Sequence, residues 1–440
     1  MNIILERIRP WYEKQLCDEQ NGFRKDRGTT EGIYTVKRIH QITNRKKQML
    51  FLLFVDLTAA FDHIPRSWLF RSIQLRFADE RLPRVFEILE KLYRQTSLTF
   101  DQANLTFKTT SGVRQGGPES PILFTLYIDF VMRTFLEKAN LKGIEFFQHK
   151  FRINLKSLTR DERYLLRDKI NGISPLSWSG YADDLVLFLI DKIGLSQSTD
   201  LLDDVFVSFG LNINKLKTET MILNYDENEP TIPYPESIID LKDIPLTNSQ
   251  QFKYLGCYIN QGEPNTGETE INQRIQLATC KFAEMSNILQ NMRVNLKTRI
   301  KFLNSYVRSR LTYACQNWNP TKNQFDRIDS TYRKFLRRMI RNGFKYVDER
   351  NNDYRLMITN DSLHRICGTS DVSEFIKKQQ QRYIAHIIRM NVDRNVKQLT
   401  FNNDKYVKRG RPIKSLLDQA IENSNLSIDT FCTRAVQRKI

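Results

Sequence analysis

Tyr181-Ala182-Asp183-Asp184-Leu185-Val186-Leu187-Phe188-Leu189-Ile190 decides the reading of this chain. Two adjacent carboxylates follow a small residue and an aromatic, and an unbroken apolar run comes straight after. That run has strand length and no helical period, so it predicts a buried strand. Upstream, Ser177, Ser179 and Gly180 read as a turn, which gives a hairpin with Asp183 and Asp184 at its bend. Charged side chains abutting a core strand are costly unless they are paired or hold a cation. Hard divalent cations take oxygen ligands, so a bent carboxylate pair suits one. A plain acidic turn is the alternative, and a third carboxylate with a substrate surface would decide between them.

Working outward, Leu50-Phe51-Leu52-Leu53-Phe54-Val55-Asp56-Leu57 gives a second buried-strand pattern. Asp56 stands at its end, where it either ligates a metal or caps the helix beginning at Thr58-Ala59-Ala60-Phe61-Asp62. Ser111-Gly112-Val113-Arg114-Gln115-Gly116-Gly117-Pro118-Glu119-Ser120-Pro121 leads into an apolar helix from Ile122. Its glycines allow close backbone approach to a ligand, its prolines suit a helix start, and Arg114 and Gln115 supply donors. Gln20-Asn21-Gly22-Phe23-Arg24-Lys25-Asp26-Arg27-Gly28-Thr29-Thr30 is a basic loop before a helix that Thr29 or Thr30 would cap. It reads equally as helix entry or as a phosphate-facing loop through Arg24 and Arg27. Lys217 lies where Leu211–Leu223 alternates into a strand, and Phe252–Ile259 reads as one strand interrupted by Gly256.

The chain has 440 residues, 68 of them Lys or Arg against 50 Asp or Glu, for a formal net charge of +18. Its length suits two or three domains, and the surplus of base points to a polyanionic partner, because Lys and Arg displace counterions from phosphates. No window has the apolar length of a transmembrane helix, so no membrane role is expected. Cys17, Cys257, Cys280, Cys315, Cys367 and Cys432 are scattered singly, which argues against zinc and a disulfide framework. From residue 269 the pattern turns helical: Ile271, Ile275, Ala278, Phe282, Met285 and Leu289 form one stripe. Two further helices, 293–315 and 324–345, carry Arg293, Lys297, Lys301, Arg308, Arg333, Arg337, Arg338 and Arg341, a surface suited to gripping a nucleic-acid duplex. Residues 145–178 read as a polar insertion with a helix at 159–170. The tail carries a helix over 373–391 and Lys408-Arg409-Gly410-Arg411-Pro412, a basic loop suited to a minor groove or to nuclear import.

Taken in order, Asp56 with Ala60-Phe61-Asp62, the Arg114-Gln115-Gly116 loop, Tyr181-Ala182-Asp183-Asp184, Leu211–Thr218 and Tyr254-Leu255-Gly256 resemble the blocks of a reverse transcriptase. Gln20-Asn21-Gly22-Phe23-Arg24 resembles the fingers motif of the kind encoded by non-LTR (LINE-type) retrotransposons. The resemblance implies an α+β right hand. Residues 1–50 would be partial fingers, 51–262 the palm with an antiparallel sheet together with the remaining fingers, 263–345 a helical thumb and 346–440 a helical, basic C-terminal region. It implies RNA-directed DNA polymerase activity on an RNA template, a DNA primer and dNTPs. Two Mg²⁺ ions, or Mn²⁺ in their place, would be held by Asp56, Asp183, Asp184 and the Leu57 backbone carbonyl, with Lys217 near the phosphates as charge partner or general acid. Arg24, Phe61, Arg114, Gln115 and Gly116 would line the dNTP and template site, with the Phe61 ring excluding a 2′-hydroxyl. Arg409 and Arg411 would join the helical residues in binding nucleic acid. A nuclear location is expected, with a cytoplasmic ribonucleoprotein stage; the oligomeric state is left open. Three departures stand out. Gly117 and Glu119 replace the family's usual Cys and Leu, so Glu119 should point away or be paired. The 145–178 insertion is long. The chain also begins late in the fingers, which suggests a truncated or decayed copy and, as the alternative function, a silent nucleic-acid-binding remnant.

Overall fold

A computed structural model describes residues 2–76, 84–94, 96–100, 105–139, 141, 176–225, 235–264, 267–340, 345–348, 353–356, 358–401, 414–438 and 440. The expected helix at 159–170, most of the 145–178 insertion, Arg341, and the Lys408–Pro412 loop with Arg409 and Arg411 lie outside these residues. The described residues fall into two compact units. One takes residues up to 141, 176–262 and 393–401; the other takes 263–392 and 414–440. The tail, expected as one region, is therefore divided between the two.

The first unit is built on a six-stranded sheet of order β4-β5-β1-β6-β8-β7. Its strands are β1 (Leu50–Val55), β4 (Trp178–Tyr181), β5 (Asp184–Leu189), β6 (Glu219–Leu223), β7 (Ser237–Leu241) and β8 (Ile244–Asn248); a separate hairpin pairs β2 (Ser97–Phe100) with β3 (Leu105–Lys108). β1 is central and antiparallel to both β5 and β6. Its continuous apolar run follows from burial on both faces. Phe51, Leu53 and Val55 pack on one side with Leu185, Leu187 and Leu189; Leu50, Leu52 and Phe54 pack on the other with Val186 and Phe188. Each such side chain contributes about 2 kcal/mol by leaving water, so the strands at whose ends the acids lie are firmly anchored in the sheet.

Helices cover both faces. α1 (Asn2–Gln15), α6 (Ser120–Ala139) and α7 (Lys192–Ser208) contribute to the first cluster. α2 (Thr29–Lys46) supplies Val36, Ile39 and Ile42 to the second, where Leu399 of the short helix Asn395–Phe401 joins them. Between β1 and the β2–β3 hairpin lie α3 (Ala60–His63), α4 (Arg66–Arg76) and α5 (Arg84–Arg94). Two expectations change. Gly28, not a threonine, precedes α2, and its N-terminus has no side-chain cap. Gln251–Tyr254 and Cys257–Asn260, β9 and β10, form a hairpin, because Leu255 and Gly256 both take positive φ and reverse the chain.

The second unit is helical. Glu268–Glu284, Leu296–Phe302, Lys322–Ile340, Asn360–Cys367 and Val372–Arg389 surround one apolar cluster that includes Phe282, Trp318 and Phe335. Leu303–Arg308 widens into a π-helical turn. The helix expected to reach residue 345 is described over Lys322–Ile340, and Lys345 itself lies in a strand, Lys345–Asp348, that pairs with Asp353–Leu356 as a small hairpin.

Candidate active site

The acids meet where β1 and the β4–β5 hairpin end together. Tyr181 pairs with Asp184, so Ala182 and Asp183 form a two-residue turn and Asp184 is the first residue of β5. The bend therefore sits one residue earlier than the sequence suggests. Val55 pairs with Leu185; one step further along the antiparallel register, Asp56 is level with Asp184. Directly opposed residues of this kind have β-carbons about 5 Å apart. Burial first, then the charges of Asp183 and Asp56, push the Asp184 carboxyl up to about 6. Burial and Asp56 raise Asp183 as well. Among the described residues no basic side chain pairs with any of the three.

This donor set fits a divalent cation: three hard oxygen ligands repel one another at the end of a core sheet with no counter-charge. The three are not drawn together as a chelate; among the described residues no three acidic, histidine or cysteine side chains converge tightly enough to hold an ion as they stand. Binding would have to gather them. Leu57 forms a bridge with Ile213. That bridge uses the Thr58 N–H and the Asp56 carbonyl, which leaves the Leu57 carbonyl out of it.

The loop bearing Lys217 is tied to the same corner. The Asn214 N–H donates to the Asp56 carbonyl at 2.8 Å, and the Asp56 N–H donates to the Thr218 hydroxyl at 3.2 Å. Lys217 stands exposed in this turn. Phe61 stacks on Phe124 with ring centroids 3.8 Å apart and meets the Phe23 edge at 6.3 Å; Phe23 in turn meets Tyr181 at 6.1 Å. An aromatic group thus links α3 to the hairpin.

The 112–117 loop is pinned at its ends and open in the middle. Gly112 and Val113 donate to the Ile64 and Phe61 carbonyls, Arg66 donates to the Gly112 carbonyl, and Tyr93 accepts the Arg114 N–H. Gly112 has φ +72°, and a β-carbon there would lie 2.8 Å from the Asp62 carbonyl oxygen. Arg114, Gln115 and Gly116 are exposed. Glu119 is buried and lies 3.7 Å from the Arg114 guanidinium, which meets the expectation that it be paired.

Arg24 corrects the sequence reading. Its guanidinium is turned inward, bonding Glu13 at 2.9 Å and the Cys17 and Gln20 carbonyls, so it is no phosphate contact. The cause is Glu13 on α1, whose carboxylate meets the loop from eleven residues back. What the loop does instead is hold the hairpin. Gln20 Oε1 accepts the Ala182 N–H at 3.0 Å and the Gly22 N–H at 2.9 Å, while its Nε2 donates to the Ala182 carbonyl at 3.2 Å. Asn21 and Gly180 add backbone bonds, Asn21 N–H to Gly180 carbonyl and Gly180 N–H to Glu19 carbonyl. Gln20 was missed as a site residue; its place in the quoted motif was the only signal.

In the helical unit, Arg293, Lys297, Lys301 and Arg338 are exposed. Three others are engaged by the protein. Arg333 pairs with Asp371 at 2.7 Å, Arg337 donates to Asn360, and Arg308 lies over the Phe375 ring at 4.5 Å. Those three, expected to help grip a duplex, are thus held by protein partners.

The sequence profile of the reverse transcriptase (RNA-dependent DNA polymerase) family matches residues 1–259, and the chain belongs to that family. Within it the chain sides with the non-LTR retrotransposon enzymes. It is 25% identical over 307 residues to the Pol polyprotein of the type-1 retrotransposable element R2 of Bradysia coprophila, which covers 68% of this chain and 30% of that protein. It is likewise 25% identical over 244 residues to the R2DM polyprotein of Drosophila melanogaster, covering 54% of this chain and 20% of that protein. The chain thus spans less than a third of these relatives. Among solved structures, apo telomerase of Candida tropicalis overlaps 91% of this chain and 60% of its own at a TM-score of 0.38 and 13% identity.

Proposed function

We propose that this chain is the catalytic part of a retrotransposon RNA-directed DNA polymerase that extends a DNA primer on an RNA template with dNTPs. The carrying observation is the placement of Asp56, Asp183 and Asp184 at the same end of the sheet without a counter-charge. On this reading the three carboxylates hold two divalent cations, Mg²⁺ by preference. Bound there, the cations would supply Lewis acidity toward the primer 3′-hydroxyl and the triphosphate.

The chain's own residues then divide the work. Gln20 fixes the hairpin that carries Asp183. Phe61, on its stack against Phe124, presents a bulky edge to the incoming sugar. Arg114, Gln115 and Gly116 form the open loop that meets nucleotide and template, and Lys217 brings a positive charge to the phosphates beside Asp56. Residues 263–340 act as the thumb, with Arg293, Lys297, Lys301 and Arg338 on the duplex backbone, a contact that positions without reading sequence. A nuclear site of action belongs to the same proposal.

Extension of oligo(dT) on poly(rA) with dTTP and Mg²⁺ tests it. Lengthened products that vanish on chelation are expected. Salt-sensitive binding of an RNA–DNA duplex with no extension would show a silent binder instead.

A further inference from the structure

We infer that residues 393–401, which lie far beyond the part of the chain matched by the polymerase family, are a positioning element of the catalytic hairpin. The chain leaves the first unit after residue 262 and returns to it at Asp393. It is fixed there by both apolar and polar contacts. Leu399 is buried with Val36, Ile39 and Ile42 of α2 and with the sheet residues Leu52 and Val186. The Leu399 carbonyl accepts from Arg38 at 3.0 Å, and the Thr400 and Tyr34 hydroxyls bond at 2.9 Å.

The polar end meets the loop that clamps the hairpin. Arg394 pairs with Asp18 at 2.8 Å and Glu31 at 2.9 Å. The Asn395 N–H donates to Asp18 at 2.6 Å, and its side-chain amide donates to Glu19 at 3.1 Å. The next links are already at the site: the Glu19 carbonyl accepts the Gly180 N–H, and Gln20 brackets Ala182. Only the three consecutive residues Asp18, Glu19 and Gln20 separate Arg394 from the turn that presents Asp183. Two bases, Arg27 and Arg394, face three acids there, Asp18, Glu19 and Glu31. Removing Arg394 takes away its ion pairs with Asp18 and with the almost wholly buried Glu31, and the loss of one partner from such a buried network is relieved by local opening.

Only the kinetic arm of the test rests on the polymerase reading. Hydrogen exchange of the full chain compares wild type, Arg394→Ala, Arg394→Lys and Asn395→Ala, with Lys414→Ala as a control in the second unit. In Arg394→Ala the Asn21 and Gly180 amides are expected to exchange at least about tenfold faster while those of Phe51–Val55 stay as protected as before. Asn395→Ala should show a smaller effect at the same amides, and Arg394→Lys should restore part of the protection. If 393–401 loosens but Gly180 does not, or if every protected amide speeds up equally, the inference is wrong. In single-nucleotide addition, Arg394→Ala should lower kcat with an unchanged KM for primer–template. If the wild type adds no nucleotide, the polymerase reading fails, and exchange at Gly180 still decides this inference.

Discussion

Gln20 holds Ala182 from both ends, its Oε1 accepting the Ala182 N–H at 3.0 Å and its Nε2 donating to the Ala182 carbonyl at 3.2 Å. Ala182 has φ +58°, a conformation that an alanine adopts only when its surroundings impose it. The clamp therefore fixes the turn that aims Asp183. Gln20→Ala removes about 1–3 kcal/mol of this restraint and should slow nucleotide addition roughly ten- to hundredfold with the chain still folded. An unchanged rate in a variant with a native melting curve would mean that the turn holds itself.

Gly22 is the tightest point of the same junction. A β-carbon there would lie 2.4 Å from the Ala182 nitrogen, and that neighbour is backbone that cannot rotate away. Gly22→Ala should therefore lower activity more than Gln20→Ala and should also lower Tm. Thermal melting beside the extension assay reads both; a Tm equal to wild type would show that the loop and hairpin are not in contact.

The parts of this site that run along the chain were legible in the sequence, and the parts that fold across it were not. β1 and β5 announce themselves because both faces are covered, so every residue from Leu50 to Val55 is apolar. Asp56 and Asp183 follow because a charge ending such a strand needs a reason. Arg24 looked like a phosphate ligand because a loop of Arg and Gly carries no mark of the Glu13 carboxylate that occupies it. Arg333 and Arg337 likewise gave no sign of Asp371 and Asn360. Gln20 and the 393–401 segment depend on long-range docking, which local periodicity does not encode.

His40 on α2 predicts an acid-sensitive fold. It is buried, and burial pushes its imidazole down to about 4, partly opposed by a bond to the Gln261 carbonyl. Between the unfolded value and the folded one, the unfolded chain binds more protons. Stability is therefore complete above pH 6.5 and falls as pH drops toward 4, by about 3 kcal/mol in all. Urea unfolding of wild type and His40→Gln at pH 7.5, 5.5 and 4.5 separates this loss from that of the carboxylates. The variant should be less stable at pH 7.5 yet show a shallower loss on acidification; parallel slopes would remove His40 from the account.

Phe61 is both a packed ring and the proposed sugar gate, and one substitution divides the roles. Phe61→Val keeps an apolar body but removes the stack on Phe124. Packing alone predicts a lower Tm with the preference for dTTP over UTP intact. The gate predicts that the ratio of the two kcat/KM values falls by at least about tenfold. Steady-state incorporation of each nucleotide on the same RNA template measures it.

Asp56, Asp183 and Asp184 are proposed to form one catalytic centre, and single-turnover addition of one nucleotide by wild type and Asp183→Asn decides whether they do. Loss of one carboxylate from a metal-binding set should abolish addition, by about 10³-fold or more, while the variant keeps its fold because it removes charge repulsion and retains an oxygen to accept the backbone hydrogen bond at residue 183. Full activity in Asp183→Asn, or wild-type addition that persists after complete chelation of divalent ions, would contradict the account.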